Sequence, residues 1–328
     1  MKGMKAIVVD EPGGPEQLKL RDVPEPELGR SRVLLNVKAA ALNRADLLQR
    51  RGLYDPPPGA SPILGLECAG VVSRLGEGVR SVKVGDRVMA LLSGGGYAEQ
   101  VVIHERMAIP IPHSMSFAEA AAVPEAFLTA FEALFERAQL ETGQTVLING
   151  AAGGVGSAAV QLARGHGARV IAIAGNGDKL AKVKELGADL LINHKTQDFE
   201  AVIGELGWPV DVVLDSVGAA YWPKHARLLT NNGRLIVLGL LGGAKVEVDF
   251  SVLLRKQLQL VGIVMRSREL TNKILMTQRF ISETLPLFEQ GQLRPVVDRI
   301  FPLEAAAAAH ERMEQNANIG KIVLAVAD

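Results

Sequence analysis

The second half of the sequence alternates short apolar runs with longer amphipathic stretches, and this alternation constrains the fold more than any other feature. From about Pro124 onward, runs of strand length alternate with segments of helical length at 145–149, 169–174, 190–193, 210–215, 234–238 and 258–264. Strands that are apolar on both faces and separated by helices are typical of a buried parallel sheet. The pattern predicts an α/β fold with a doubly wound parallel sheet of six strands.

Residues 1–123 have a different pattern, in which short strand-like runs are separated by turns rich in proline and glycine. This pattern is typical of a compact, mostly β domain. After the sixth apolar run, a long helical stretch at 269–290 leads to short strand signals at 296–301 and 321–326. The most economical arrangement returns this tail to the first domain. We therefore predict one domain from residues 1–123 and 267–328, and a second from residues 124–266.

Charge and cysteine content narrow the classes of partner and compartment. The 36 basic side chains balance 36 acidic ones, which gives no electrostatic reason to expect nucleic acid or an anionic membrane as the main partner. Cys68 is the single cysteine, so neither an intramolecular disulfide nor a cysteine-based zinc cage can form. The start lacks the apolar run of a signal peptide, and no stretch reaches the roughly 20 apolar residues of a membrane span. We expect a cytoplasmic protein.

The first of the six runs leads directly into a glycine-rich turn that is followed by a helical stretch. The turn comprises Gly150, Ala151, Ala152, Gly153, Gly154, Val155 and Gly156. Glycines at this spacing allow a tight turn and a close approach of the backbone to a pyrophosphate, and the start of the helix offers free N–H groups. With a strand before it, a helix after it and a second strand beyond, the turn predicts a Rossmann dinucleotide-binding domain.

The end of the second strand indicates which dinucleotide is bound. NAD sites usually carry an Asp or Glu there, which binds the 2′-hydroxyl of the adenosine ribose. Here Ala174 is followed by Gly175, Asn176 and Gly177, without a carboxylate, and Lys179 lies close behind. A 2′-phosphate would fit this gap, so the sequence favours NADPH over NADH. The alternative is that Lys179 is a solvated helix residue, with Asp178 opposing a phosphate.

Several further motifs carry a resemblance over the whole chain. They are residues 43–46, 51–54, 65–72, 84–88 and 320–323, together with the glycine turn. In combination they resemble the medium-chain dehydrogenase/reductase superfamily, and within it the zinc-free, zeta-crystallin-like quinone oxidoreductases. Residues 54–58 and 318–324 look closest to the stress-inducible quinone oxidoreductase branch. The resemblance implies a GroES-like first domain beside the Rossmann domain, and NADPH as the cofactor.

Departures from the alcohol dehydrogenase branch bear on the chemistry. That branch holds a catalytic zinc with a Cys, a His and a second Cys, whose matching positions here are Asn43, Leu66 and Glu125. Leu66 cannot bind zinc, and one carboxylate makes no site. The cysteines of a structural zinc lobe are absent too, and the six histidines lack ligand spacing. We therefore predict no metal.

A quinone is electron-poor and can accept a hydride from the nicotinamide directly, once it is docked in the interdomain cleft. The resemblance implies that Asn43 and Tyr54 face the nicotinamide, and they are the candidate catalytic residues. Asn43 would supply amide donors and Tyr54 a hydroxyl. The alternatives are an asparagine that stabilises a turn, and an aromatic side chain that packs on the prolines at 56–58.

By the same resemblance, further residues would contact the cofactor, and these are Thr129, His194, Ser216, Gly218, Gly239, Leu240 and Asn318. Ser216, Gly218, Gly239 and Leu240 follow the fourth and fifth strands, where open α/β sheets bind ligands. Asn318 would close over the cofactor from the tail. Arg266 and Arg268 follow the sixth strand, and we expect them to be solvated rather than to line a cleft.

Three functions remain open at this point. The first is NADPH:quinone reduction, with either one or two electrons transferred per step. The second is reduction of an activated C=C bond in an enal, enone or enoyl thioester, which needs a proton donor such as Tyr54. The third is a non-catalytic NADPH-binding protein with a crystallin-like or RNA-associated role. The sixth strand would form an apolar sheet edge that must be covered, so we predict a homodimer.

Overall fold

The computed structural model describes residues 3–326. Within this range the chain forms two compact units, one that runs to Leu128 and resumes at Met265, and one that comprises Thr129–Val264. The strands, in chain order, are β1 (Gly3–Val9), β2 (Leu18–Pro24), β3 (Arg32–Ala41), β4 (Glu67–Leu75), β5 (Arg87–Leu91), β6 (Gln100–His104), β7 (Ile109–Pro110), β8 (Thr145–Asn149), β9 (Arg169–Ala174), β10 (Leu190–Asn193), β11 (Val210–Asp215), β12 (Leu229–Val237), β13 (Gln259–Gly262), β14 (Val297–Pro302) and β15 (Lys321–Ala325).

The α-helices are α1 (Arg44–Arg50), α2 (Phe117–Ala121), α3 (Pro124–Phe131), α4 (Gly154–Gly165), α5 (Gly177–Glu185), α6 (Phe199–Leu206), α7 (Trp222–Leu228), α8 (Phe250–Lys256), α9 (Leu270–Glu289) and α10 (Ala306–Glu314). A π-helical segment, Glu132–Arg137, continues α3. Short 3₁₀ turns occupy Pro15–Gln17, Glu105–Met107 and Leu303–Ala305.

The first unit is built on a seven-stranded sheet in which β15, from the late part of the chain, pairs with β3. The order is β14-β15-β3-β4-β5-β7, β6 also pairs with β3, and β1 and β2 form a separate antiparallel pair. The last strand, β15, pairs antiparallel with β3 and parallel with β14. Side chains of β3, β4 and β15, among them Leu35, Val37 and Ile322, meet in one apolar core. The tail therefore belongs to the same unit as the first strands.

The second unit contains the predicted parallel sheet. Its six strands lie in the order β10-β9-β8-β11-β12-β13, and all of its pairs are parallel. Every residue of β8 is buried, and β9 and β11 are almost fully buried. This burial on both faces is the reason why continuous apolar runs predict these strands. This order reverses direction between β8 and β11, where doubly wound sheets bind their ligands. The predicted fold class is confirmed.

Two strands at one side of this sheet differ from the prediction. β12 begins at Leu229, earlier than expected, because Leu229 pairs with Val210 before a register shift. β13 is an edge strand of only four residues, and the nearby helix α8 carries two of the most exposed apolar side chains, Phe250 (76%) and Leu254 (81%).

Among residues 3–326, no helix combines the length and apolar character that crossing a membrane requires.

Candidate functional site

The glycine turn leaves the carboxyl end of β8 and enters α4 through backbone that a side chain would obstruct. Gly150 has a φ of +64°, a conformation that favours glycine. A Cβ added to Gly156 would lie 2.3 Å from the carbonyl oxygen of Gly150, so the turn and the helix pack as closely as their backbones allow. No side chain caps the start of α4 at Gly153. The helix therefore presents its first N–H groups and its positive dipole end to a ligand.

The ends of the neighbouring strands lie against this turn. The hydroxyl of Ser216, which follows β11, is 3.5 Å from the carbonyl oxygen of Asn149 and would be 3.1 Å from a Cβ on Gly150. A Cβ on Gly239, after β12, would lie 3.1 Å from the carbonyl oxygen of Ser216. Small residues thus line the edge where the topology reverses. Gly218 follows with a φ of +82°, and Leu240 is exposed.

A buried polar cluster beneath the turn was missed in the sequence. Asn149 donates through Nδ2 to Asp215 Oδ1 (3.2 Å) and to the ring of His225 (2.9 Å). Asp215 in turn accepts the backbone N–H groups of Val217 and Gly218 at 2.8 and 2.9 Å. Burial lowers the pKa of His225 to about 4, so its ring is neutral at pH 7. The cluster fixes the segment after β11 relative to the end of β8.

The end of β9 is a basic environment, as a 2′-phosphate would require. The side chain of Asn176 caps α5 by accepting the backbone N–H of Lys179 at 2.9 Å. The ring of His194, after β10, would be 3.0 Å from a Cβ on Gly175. Burial lowers the pKa of His194, and the positive charges of Lys195 and Lys179 lower it further. Gly175, Lys179 and His194 are thus gathered around one spot, and their role toward a phosphate stays a prediction.

Thr129, the first residue of the second unit, carries an unpaired polar atom. Its side chain is 8% exposed, and its hydroxyl oxygen is buried without a hydrogen-bond partner among the described residues. Such an orphaned group is costly unless a ligand or water satisfies it. This observation and the close-packed glycine cradle both fit a bound nicotinamide dinucleotide.

In the first unit, Asn43 is held by a buried ion pair. Lys321 Nζ contacts Glu67 Oε1 at 2.6 Å, and both side chains are almost fully buried. The same ammonium donates to the carbonyl oxygen of Leu42 (2.6 Å) and to Asn43 Oδ1 (2.5 Å). The amide of Asn43 donates to Glu67 Oε1 (2.9 Å) and, at 3.4 Å, to Ala41. The amide is therefore precisely positioned, and its N–H groups already have acceptors within the protein.

Asp46 fixes the helix that begins beside Asn43. Its Oδ2 accepts the backbone N–H of Asn43 at 2.8 Å and the hydroxyl of Tyr97 at 3.2 Å, while Oδ1 accepts the N–H of Gly65 at 3.2 Å. Burial raises the pKa of Asp46 to about 6, against the opposing effect of these hydrogen bonds. The carboxylate thus joins α1 to the loop before β4.

Glu125 lies next to Glu67. Unlike Glu67, its side chain makes no hydrogen bond among the described residues. Its backbone N–H donates to Glu67 Oε2 at 2.8 Å, which fixes the start of α3. Its side chain remains partly exposed. Burial and the negative charge of Glu67 raise the pKa of Glu125 to about 8. This carboxyl is therefore largely protonated at pH 7.

Arg266 corrects a prediction, because we expected a solvated charge and its side chain is 3% exposed. It donates to the carbonyl oxygen of Ser93 (2.9 Å) and to Gln49 Oε1 (2.7 Å), and its guanidinium lies 5.2 Å from the ring centre of Tyr54. These acceptors come from distant parts of the sequence and replace water. Lys273 is buried beside it and donates to the Ser93 hydroxyl at 2.6 Å. Tyr54 is half-buried, and burial raises the pKa of its phenol.

The three positions that match zinc ligands do not form a metal site. Leu66 is a buried apolar side chain, and the negative charge of the adjacent Glu67 is already balanced by Lys321. In the part of the chain that the structure describes, no group of three or more His, Cys, Asp or Glu side chains is placed to hold a metal ion. The residues present do not fit a catalytic zinc.

The predicted site residues fall into two groups. Most of the cofactor residues gather at one edge of the parallel sheet in the second unit, whereas Asn43, Tyr54 and Asn318 lie in the first unit. Asn318 donates through Nδ2 to the carbonyl oxygen of Gly320 at 2.7 Å. Their contacts with a cofactor stay predictions. The first-unit residues that the sequence did not reveal are Glu67, Lys321, Asp46 and Lys273. A carboxylate inside the apolar run at 64–72 was the available signal for Glu67.

Comparisons with known proteins agree with this geometry. The model of the alcohol dehydrogenase GroES-like domain matches residues 29–113, and that of the zinc-binding dehydrogenase matches residues 154–279. The quinone oxidoreductase of Rattus norvegicus is 33% identical, with 98% of each chain covered. The synaptic vesicle membrane protein VAT-1 homolog of the same species is 34% identical, with 98% of this chain and 84% of the relative covered.

Among solved structures, that of an NAD-dependent alcohol dehydrogenase superposes with a TM-score of 0.88 at 35% identity, covering 99% of this chain and all of the other. The near-complete coverage extends over both units. The chain is therefore a member of the medium-chain dehydrogenase/reductase superfamily of oxidoreductases.

Proposed function

We propose that this protein is a zinc-independent NADPH:quinone oxidoreductase. The observation that carries the proposal is the glycine cradle at Gly150 and Gly156, which leaves no room for a side chain and ends in an uncapped helix. Among residues 3–326 no set of zinc ligands surrounds Leu66, which supports an acceptor that needs no Lewis acid. The quinone oxidoreductase relative is consistent with that acceptor class.

In this proposal the second unit binds the dinucleotide. The N–H groups at the start of α4 hold the pyrophosphate, and Thr129 offers its unpaired hydroxyl to the nicotinamide end. Lys179 and His194 receive the 2′-phosphate. Bound in this way, the reduced nicotinamide supplies a hydride. Burial, Lys195 and Lys179 all lower the pKa of His194. A bound phosphate would act in the opposite direction and favour the protonated form of this ring.

The first unit binds and orients the acceptor. Tyr54 offers an aromatic face, held by Arg266 above its ring, and a hydroxyl with no hydrogen-bond partner among the described residues. Asn43 shapes the site through its fixed amide. The buried cations Arg266 and Lys273 have no carboxylate within ion-pair distance in the described part of the chain, and their positive potential stabilises charge that develops on a reduced carbonyl oxygen.

A substrate panel tests this function. We expect purified protein to oxidise NADPH when a 1,2- or 1,4-quinone is added, and to do so faster than with an alkenal of similar size. Reduction of a C=C bond is the second candidate, since the same hydride donor serves both reactions. Faster turnover of the alkenal would favour it, and no NADPH oxidation with any acceptor would reject both.

Cofactor choice is tested on α5. Lys179→Ala should lower kcat/KM for NADPH and leave that for NADH unchanged, because only NADPH carries the 2′-phosphate. Lys184→Ala, a change of the same type at an exposed position of the same helix, is the matched control. Equal use of the two cofactors by the wild type would reject the NADPH assignment.

The role of Asn43 is tested with Asn43→Ala. We expect turnover to fall more than cofactor affinity, because the amide lies in the first unit with the acceptor residues. Unchanged steady-state rates would remove Asn43 from the site. The affinity for NADPH, measured by fluorescence, separates the two effects.

A further inference from the structure

The partly exposed Glu125 carboxyl makes no hydrogen bond of its own, although it lies among the most firmly held groups of the first unit. Glu67 accepts the Glu125 backbone N–H through Oε2, while its Oε1 accepts from Asn43 and Lys321. One buried carboxylate thus positions both Asn43 and the start of α3. Glu125 is fixed through its main chain, and its carboxyl is left available to a ligand.

We propose that Glu125 is the proton donor of the reductive half-reaction, giving its proton to the oxygen of the reduced acceptor. This inference rests on the proposed quinone reduction. A quinone that gains a hydride becomes a hydroquinone monoanion, which needs one proton. The O–H bond of Glu125 breaks, a new O–H bond forms on the phenolate oxygen, and the Glu125 carboxylate regains a proton from water. NADPH is oxidised, the quinone is reduced by two electrons, and one proton is consumed overall.

Charged side chains on four other elements of the first unit act on the Glu125 carboxyl. Glu67 on β4 and Asp46 on α1 favour its protonated form, whereas Lys321 on β15 and Lys273 on α9 favour the carboxylate. The pKa that results from burial and these charges is about 8, close to the working pH that a general acid requires.

Two further groups on the acceptor side are coupled to the same carboxyl. The phenol of Tyr54 and the guanidinium of Arg266 both interact electrostatically with Glu125. The acid, an aromatic face and a buried cation are therefore grouped within one unit. Tyr54 is a weaker candidate for the donor because burial raises the pKa of its phenol above its usual value of 10. Asn43 is weaker too, since its N–H groups already have acceptors.

The test compares pH profiles of kcat/KM for the quinone, at saturating NADPH. Wild-type activity should fall about tenfold per pH unit above about pH 8 as Glu125 loses its proton. Glu125→Gln should lose about a hundredfold in kcat/KM, the usual contribution of a general acid. It should also lose the alkaline decline, while the affinity for NADPH stays unchanged. Glu304→Gln makes the same chemical change at an exposed carboxyl of the same unit and should match the wild type.

The outcomes separate the two levels of the proposal. A wild type that shows no quinone-dependent NADPH oxidation overturns the proposed function and this inference with it. An active wild type without the alkaline decline, or a Glu125→Gln variant that keeps it, overturns only the role of Glu125. If Glu125→Gln does not fold, Glu125→Asp decides. The Glu125→Asp variant retains an acid, so its kcat/KM should be lower than that of the wild type but should still decline at alkaline pH. Loss of this alkaline decline in Glu125→Asp would count against the proposal.

Discussion

Replacing Lys321 by methionine tests whether the buried ion pair holds the first unit together. The change keeps most of the aliphatic side chain and removes only the ammonium group. Three acceptors lose a donor at once, namely Glu67 Oε1, the carbonyl oxygen of Leu42 and Asn43 Oδ1. The carboxylate of Glu67 is fully buried, so water cannot take the place of the lost ammonium.

The expected cost follows from this burial. Removing one partner of a buried ion pair leaves an uncompensated charge and costs about 3–5 kcal/mol of unfolding free energy. For a domain of this size, each kcal/mol lowers Tm by about 2–4 °C, so the midpoint of the first unit should fall by roughly 6–20 °C. The double variant Glu67→Gln/Lys321→Met removes the unpaired charge. It should therefore be more stable than Lys321→Met, which a double-mutant cycle measures directly.

The assay must report on the first unit alone. Both tryptophans, Trp208 and Trp222, lie in the second unit, so tryptophan emission does not report directly on the first. Hydrogen exchange read by mass spectrometry resolves the two units. In Lys321→Met, peptides from β3 and β15 should exchange faster, whereas peptides from β11 should keep their protection and serve as the internal reference.

Two results would refute this reasoning. One is a Lys321→Met protein with the wild-type midpoint and unchanged exchange in β3 and β15. The other is a double variant no more stable than the single one, because the cost would then come from lost packing or unpaired carbonyl groups rather than from the buried charge of Glu67.

Three further predictions concern the second unit. Gly156→Ala should weaken NADPH binding by about 5- to 150-fold, because overpacking by one methyl group costs about 1–3 kcal/mol; Gly165→Ala, in the same helix and with open space around it, should bind normally in the same titration. Charged residues at Phe250 and Leu254 should give a monomeric mass by light scattering if these exposed side chains cover each other in a homodimer, and a wild-type monomer at micromolar concentration would contradict the dimer. His225→Gln should reduce the loss of stability as pH falls from 6.5 towards 4. Between these pH values the imidazole is protonated in the unfolded chain but neutral in the folded one, which lowers the free energy of unfolding by about 3 kcal/mol. Equal urea midpoints for variant and wild type across that range would contradict the effect.

Local sequence pattern was enough to predict the parallel sheet, but not the bounds of β12 and β13 at one side of it. β8, β9 and β11 begin and end where their apolar runs do, because strands buried on both faces tolerate few polar residues. β10 also matches its apolar run, although it is an edge strand in which only Ile192 is buried. The sequence does not predict the start of β12, because polar residues separate Leu229 from the apolar run and the register shift between them has no local signature.

The candidate site divides in the same way. The glycine turn could be predicted because the residues that determine its backbone conformation are seven consecutive positions. The cluster around Glu67 could not, since Lys321 lies far away in the sequence and meets it only through the pairing of β15 with β3. Arg266 was misjudged for a related reason. Whether a cation is solvated depends on acceptors such as Ser93 and Gln49, which no local pattern connects to it.

The return of the chain end to the first sheet also affects the order in which a nascent chain can fold. The second unit is continuous, so it can fold as soon as residues 129–264 have left the ribosome. The first unit must wait, because β15, which carries the Lys321 ammonium, follows all the other strands of that unit in the chain. Until Lys321 is synthesised, burial of Glu67 would leave its charge without a partner, and residues 39–41 of β3 would lack the pairing that β15 supplies. The growing chain therefore tends to complete the second unit before the first.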